Sequence, residues 1–138
     1  MWITIDHVGR VISFRVETTP VPWQRPRTDG RSGRWFVDRT SQRCRDAIRE
    51  VASQNGSLGL AFVVLTIEAI IPRPKKASYP FPTIGDLDNH CKMLEDSIQG
   101  ISFADDRQVV ALHSHKRYTE PGEPPGYIVK VEEIVGIG

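Results

Sequence analysis

No stretch of this chain approaches the roughly 20 consecutive apolar residues that a membrane-crossing helix needs, so a membrane partner is not expected. Cysteine is scarce: Cys44 and Cys91 are the only two among 138 residues, and neither sits in a metal-binding or disulfide spacing. A zinc-stapled or disulfide-stapled framework is thereby excluded, and both thiols fall on apolar helical stripes, where a buried free cysteine is the expected reading. The opening Met1-Trp2-Ile3-Thr4-Ile5-Asp6 has no basic stretch followed by an apolar one, so no secretory signal is expected and the cytoplasm is the default compartment. Repeats and low-complexity tracts are missing too. With 39% hydrophobic and 25% charged residues, the composition is that of an ordinary globular protein, and the length suits one domain spanning 1–138 better than two.

A large net charge is also lacking, at +1 overall, but the balance is uneven along the chain. Residues 25–49 hold eight arginines against Asp29, Asp38 and Asp46, a local excess of +5, which leaves the remainder at −4. A basic segment in an otherwise acidic domain suits a polyanion, because each neutralised phosphate releases condensed counterions. Arginine in place of lysine favours bidentate phosphate contact. Arg25, Arg27, Arg31, Arg34, Arg39 and Arg43, with Lys75 and Lys76 further on, are the candidate DNA-binding residues. Charge alone is equally compatible with a solvated, salt-bridged helix face.

The hydrophobic pattern predicts the elements. Residues 2–6 and 11–17 alternate around His7-Val8-Gly9-Arg10 and read as a hairpin. Prolines and glycines from 19 to 37 predict an extended basic loop. A helix is expected from Thr40 or Ser41, either a plausible cap, to about Ser53, with Cys44, Ala47, Ile48 and Val51 on its apolar stripe. The β-branched run 60–71 predicts a central strand ending at Pro72, followed by a proline-rich loop over 72–85. A second helix follows, with Leu87, Cys91, Leu94 and Ile98 buried and Asp88, Lys92 and Asp96 forming a polar stripe beside them. Gly100 ends it, and strands at about 107–118 and 127–135 complete the chain. The expected fold class is α/β (α+β-like), a single domain with a mixed β-sheet packed against two main helices.

The chemistry concentrates in the second helix and the turn after it. Asp86-Leu87-Asp88-Asn89 puts two carboxylates at a helix entrance, Lys92 stands one turn along the same face as Asp88, and Asp105-Asp106 adds carboxylates from a turn. Three aspartates suit Mg²⁺, which takes hard oxygen ligands and keeps waters that a phosphate can displace. A metal so held lowers the pKa of an attacking water, and a nearby lysine neutralises the phosphate. Read singly, each acid has a plainer explanation: aspartate and asparagine are favoured caps, and an Asp88–Lys92 pair contributes only about 0.2–0.5 kcal/mol on an exposed helix. Several converging acids, however, repel one another unless a cation compensates them.

The pattern Asp86-Leu87-Asp88-Asn89-x-x-Lys92-x-x-x-Asp96-x-x-x-Gly100, then Asp105-Asp106-x-Gln108-Val109, resembles the signature of the RusA-type Holliday junction resolvases. A weaker similarity covers the strand and the Pro/Arg segment Pro22 to Arg27 ahead of a helix, so that the resemblance extends over most of residues 11–133. It implies a RusA-like fold and a magnesium-dependent endodeoxyribonuclease, with Mn²⁺ able to substitute. It further implies a homodimer that resolves four-way DNA junctions by paired symmetric cuts in recombination and repair, and a bacterial or phage-encoded source, here a prophage for example. Asp86, Asp88 and Asp106 would be the metal carboxylates, Lys92 the catalytic lysine, and Asn89, Asp96 and Asp105 supporting residues. Two departures stand out: Tyr79 to Gly85 is not basic, and His90 replaces an apolar residue after the asparagine. The N-terminal strand before residue 10 extends either the sheet or a dimer contact.

Alternatives from other classes are a branched-DNA-binding module without catalysis, and a nuclease of other branched or flapped DNA. Trp23, Trp35 and Phe36, interleaved with arginines, either stack on exposed bases or fold onto the core. His113-x-His115 presents two imidazoles on one strand face and is read as a surface pair outside the site.

Overall fold

The computed structural model describes residues 5–23, 27–28, 30, 33, 35–36, 38–83 and 85–137. Arg25, Arg31 and Arg34 lie outside the described residues, and of Arg27, Trp35 and Phe36 the backbone alone is described. The elements are β1 (Ile5–Glu17), β2 (Arg27–Thr28), β3 (Trp35–Phe36), α1 (Arg39–Ser53), β4 (Val63–Ile71), α2 (Leu87–Ile98), a 3₁₀ turn (Asp106–Gln108), β5 (Val109–Tyr118) and β6 (Gly126–Ile137). Four strands form one mixed sheet in the order β1-β6-β4-β5. β6 runs antiparallel to both β1 and β4, whereas β4 and β5 are parallel and joined through α2. The α+β arrangement of a mixed sheet and two helices in a single domain is the one expected.

Two local expectations are corrected. The proposed hairpin around His7–Arg10 is instead one 13-residue strand, β1, paired along β6. Gly9 does not take the positive φ that a two-residue hairpin turn requires. The extra residue between the pairs Val8↔Ile134 and Val11↔Glu132 is absorbed as a bulge. Glu133 pins that bulge by accepting from the Arg10 amide at 3.1 Å and from its guanidinium at 2.7 Å. A Cβ at Gly9 would come within 2.6 Å of Val135 Cγ1. Residues 5–10 therefore extend the sheet. Secondly, the basic segment 19–37 is not wholly loop: β2 and β3 pair antiparallel, Arg27 opposite Phe36 and Thr28 opposite Trp35.

α1 begins one residue or more before the expected caps, because Asp38 supplies the acceptor: its carboxylate receives the Ser41 amide at 2.9 Å and the Ser41 hydroxyl at 3.0 Å. Ile48, Ala52 and Cys44 then face inward. The helices share one side of the sheet, α1 packing on β1 and on α2, and α2 on β5. Between the layers lie Phe14 and Val16 from β1, Val63, Leu65, Ile67 and Ala69 from β4, Tyr127, Val129 and Val131 from β6, and Leu94 and Ile98 from α2. Each large side chain buried there contributes roughly 1.5–3 kcal/mol. Cys44 and Cys91 are buried free thiols, as their stripes predict, and burial pushes both upward from the ordinary thiol pKa.

Among the described residues the other sheet face carries no helix, and beside the buried Val64 and Ile70 it holds a network of charged side chains. Glu68 accepts from Arg117 at 2.8 Å and pairs with His115; Arg117 also binds Glu123 at 2.6 Å, and Arg15 reaches Glu123 at 3.4 Å. His115 thus contacts the Glu68 carboxylate at the edge of a surface ion-pair network, and His113, two residues along the same face, is exposed. Arg117 and the Glu120 amide hold the Glu123 carboxyl down to about 2.

Candidate active site

α2 leaves the sheet's parallel pair and returns along it, so its polar stripe faces β5 across a groove. That groove, about 310 Å³, is lined by Asp88, Lys92, Glu95 and Asp96 of α2, by Asp106, and by Leu112 and Ser114 of β5. Residues 88, 92, 95 and 96 fall at helical spacings of four, seven and eight, which puts them on one face. Of the sequence-predicted residues, Asp88, Lys92, Asp96 and Asp106 are brought together; Asp86, Asn89 and Asp105 are not among the lining side chains.

Each of those three has a visible position of its own. Asp86 is the N-cap residue of α2, is exposed, and makes no side-chain cap hydrogen bond. Its carboxylate is therefore not spent on the helix amides, which was its plainest structural explanation. Asn89 receives the Trp23 amide on its carbonyl at 2.8 Å, tying the Val21–Trp23 segment to the first turn of α2. Asp105 is a structural cap: its carboxylate accepts from the Arg107 amide at 2.9 Å and pairs with the Arg107 guanidinium, in a capping box with Gln108. Arg107 holds the Asp105 carboxyl down to about 2.

Gln108 positions the turn that carries Asp106. Buried, it accepts from the Asp105 amide at 2.7 Å and donates to the carbonyls of Gly59 and Ala61, both at 2.7 Å. Its accepted bond closes the turn on itself, and its two donated bonds clamp the turn to the loop before β4. Just ahead of the α2 N-cap, Gly85 takes φ +79°, and a Cβ there would meet His90 Nε2 at 2.7 Å and Pro22 at 3.1 Å. Lys116 Nζ donates to the Gly85 carbonyl at 3.1 Å. The chain thus enters Asp86 through a conformation that favours glycine, held from β5 by Lys116 and packed closely on His90 and Pro22.

Glu95 is the groove residue that the sequence reading missed. Its position seven residues after Asp88 was the available signal. Burial, then the neighbouring Asp106 and Asp96 carboxylates, push the Glu95 carboxyl above its ordinary range. Among the described residues, Asp88, Asp96 and Asp106 take part in no salt bridge. Lys92, the cation of the groove, rests its ammonium on the Trp23 ring, 3.9 Å from the centroid. That contact is worth roughly 0.5–2 kcal/mol and gives Trp23, partly buried against the core, the folded-in role of the two its sequence allowed.

The groove therefore collects negative charge that the fold does not neutralise. A raised folded-state pKa means that ionised Glu95 weakens the fold above that pKa and that the loss is recovered as pH falls through it. Glu95→Gln is expected to raise the thermal midpoint of the metal-free protein near neutral pH by about 2–4 °C. Calorimetry across pH should show the gap to wild type closing on acidification; a lower midpoint for the variant would mean the cluster is not repulsive.

The family model for Endodeoxyribonuclease RusA matches residues 17–132. The chain belongs to that family. No curated protein matches it. Membership of the RusA family makes the chain an endodeoxyribonuclease and implies Holliday junction resolvase activity. The match begins at the last residue of β1 and runs into β6, so it takes in both helices, the acidic groove and the basic segment. Among the described residues, no helix is long and apolar enough to cross a membrane.

Of the candidate DNA-binding residues, those with described side chains lie on α1 and in the loop after β4. Arg39 and Arg43 lie exposed on α1, and Lys75 and Lys76 are exposed in the 72–85 loop. Arg49, also on α1, donates to the Ser97 carbonyl of α2 at 3.1 Å and so holds the two helices together.

Proposed function

We propose that this RusA-family chain is a magnesium-dependent endonuclease that resolves four-way DNA junctions by paired symmetric cuts, acting as a homodimer. The observation that carries the reading is the groove in which Asp88, Asp106 and Lys92 meet Glu95 and Asp96. Its four carboxylates, from Asp88, Glu95, Asp96 and Asp106, fit a hard cation, and burial and the neighbouring carboxylates already make Glu95 resist ionisation. Among the described residues no three His, Cys, Asp or Glu side chains form a ready metal-binding group. Mg²⁺ tolerates this, since it is commonly held by one or two carboxylates with waters and substrate phosphate completing its shell.

Asp88 and Asp106, with Asp86 by family resemblance, would hold the metal, and Mn²⁺ has the same preference for such ligands. The bound ion supplies Lewis-acid polarisation of the phosphate and a water of lowered pKa. Lys92 neutralises a non-bridging oxygen of the scissile phosphate, and the Trp23 ring keeps its ammonium from collapsing onto Asp88 or Asp96. Glu95 and Asp96 orient water and raise the local demand for a cation. Asn89 supports the site by anchoring Trp23 through its carbonyl, and Asp105 by shaping the turn beside Asp106. Arg25, Arg27, Arg31, Arg34, Arg39, Arg43, Lys75 and Lys76 bind backbone phosphates, which gives affinity without sequence preference. A two-fold dimer matches the approximate two-fold symmetry of a junction that needs two cuts.

The test is cleavage of a labelled synthetic four-way junction beside flap and linear duplex, with Mg²⁺ and with chelator. The expected result is a pair of symmetric nicks in the junction alone, dependent on Mg²⁺. Tight, salt-sensitive junction binding with no cutting would instead make the chain a DNA-binding module, and preferential flap cleavage would keep the chemistry and change the substrate.

A further inference from the structure

We infer that a second cleft, next to the acidic groove, takes a single unstacked nucleobase of the DNA; this rests on the nuclease reading above. The cleft, about 270 Å³, lies at the carboxyl ends of the parallel strands β4 and β5, and Tyr79, Tyr118, Pro72, Pro74, Lys76 and Thr83 line it. Crevices at the carboxyl ends of parallel strands are where ligands of open sheets bind. Here Ile71 and Tyr118 are the last register pair. The Thr119 amide then donates to the Ile71 carbonyl at 2.9 Å, and the Arg73 amide to Thr119 Oγ1 at 3.3 Å. These bonds close the floor, and prolines, which have no amide to continue a ladder, keep the wall apart from the sheet.

The lining suits a flat ring on a charged backbone. Two tyrosines and three prolines, Pro72, Pro74 and Pro82, offer apolar faces. The Arg73 guanidinium packs over Tyr118 at 5.0 Å from the ring centroid, which fixes that ring and leaves a cation at the rim. Tyr79 is 61% exposed and Phe81 62%, so aromatic surface stays in water on a loop that also exposes Arg73, Lys75 and Lys76. Aromatic platforms bordered by cations are how single-stranded nucleic acid is held, the rings taking bases and the cations taking phosphates.

Position links the cleft to the cut. Thr83 lines it, and Asp86 follows three residues later, so their Cα atoms are at most roughly 10 Å apart. Lys116 Nζ holds the Gly85 carbonyl just ahead of Asp86 at 3.1 Å. A base seated in the cleft therefore belongs to a nucleotide close to a phosphate bound at the entrance of α2, where Asp86 and Asp88 stand. Extruding a base is cheapest where stacking is already interrupted, as at the branch point of a junction, and the cleft would select for branched over linear DNA.

The experiment uses the full chain and four-way junctions carrying 2-aminopurine at successive positions around the branch, titrated in chelator. One position should show a fluorescence change that Tyr79→Ala abolishes and Tyr79→Trp keeps. Tyr79→Ala should weaken junction binding roughly tenfold while leaving linear duplex binding unchanged. Tyr79 is exposed, and thermal melts of the variants confirm folding. If Tyr79→Ala binds and cuts junctions as wild type does, with no Tyr79-dependent signal at any position, the cleft is not a base site. A wild type that cuts no DNA under Mg²⁺ yet shows the Tyr79-dependent signal overturns the nuclease reading and leaves the cleft standing.

Discussion

Asp88→Asn is expected to lower junction cleavage by roughly 10²–10³-fold or more while junction affinity stays near wild type or tightens. The substitution keeps size and helix position but removes one of the hard anionic oxygens in the groove. Asp88 is exposed at the first turn of α2, and no salt bridge depends on it among the described residues, so the fold should be little affected. Removing a negative charge beside the bound phosphates also lessens repulsion of the DNA. Single-turnover cleavage and gel-shift affinity of the same preparation separate the two effects. Retained cleavage by Asp88→Asn would remove the groove from the chemistry.

Lys92→Met should cost about 10²-fold in single-turnover rate, with a smaller change in binding, because the ammonium acts on charge that develops as the phosphate is attacked. Lys92→Arg should restore little. The guanidinium is planar and forked where the ammonium is a compact point charge, and it would stack on Trp23 in a different position from the 3.9 Å contact of the ammonium. If the rate is unchanged and only affinity falls, Lys92 is a phosphate-binding residue like Lys75 and Lys76, not a catalytic one.

The groove shows how far helical spacing carries and where it ends. Asp88, Lys92 and Asp96 lie on one face by arithmetic alone, and the face is the observed one. That Asp106, from a turn ten residues further on, lines the same groove depends on Gln108 fastening the turn to Gly59 and Ala61. No local pattern encodes that long-range clamp. Glu95 sits between the charged stripe and the apolar one, and its half-buried place beside Asp106 arises only when α2 packs on β5. The Asp105-Asp106 pair looks symmetric in sequence, yet one carboxylate closes a capping box with Arg107 and Gln108 while the other lines the groove.

β1 teaches the opposite lesson. Gly9-Arg10 between alternating residues is a fair turn signal, but a bulge and a turn use similar residues, and the partner strand decides between them. Glu133, 123 positions from Arg10, supplies the bond that favours the bulge. His90, out of place among apolar helix residues, is buried next to Tyr127, with His90 Nδ1 and the Tyr127 hydroxyl 3.4 Å apart. Burial drives that phenol strongly above its usual pKa, so it stays neutral and serves as a hydrogen-bonding spacer in the core.

By itself, the sequence determined the two helices with their apolar stripes, the central strand, the two closing strands and the family signature, because periodicity and turn chemistry act over neighbouring residues. It also determined which residues could carry chemistry. Only the tertiary structure decided which of them meet. Convergence of Asp106 with Asp88, the resting place of Lys92 on Trp23 and the cleft between Tyr79 and Tyr118 each join segments far apart in the chain. Their relative positions follow from packing two helices on one side of a mixed sheet, and that packing is a cooperative property of the whole core.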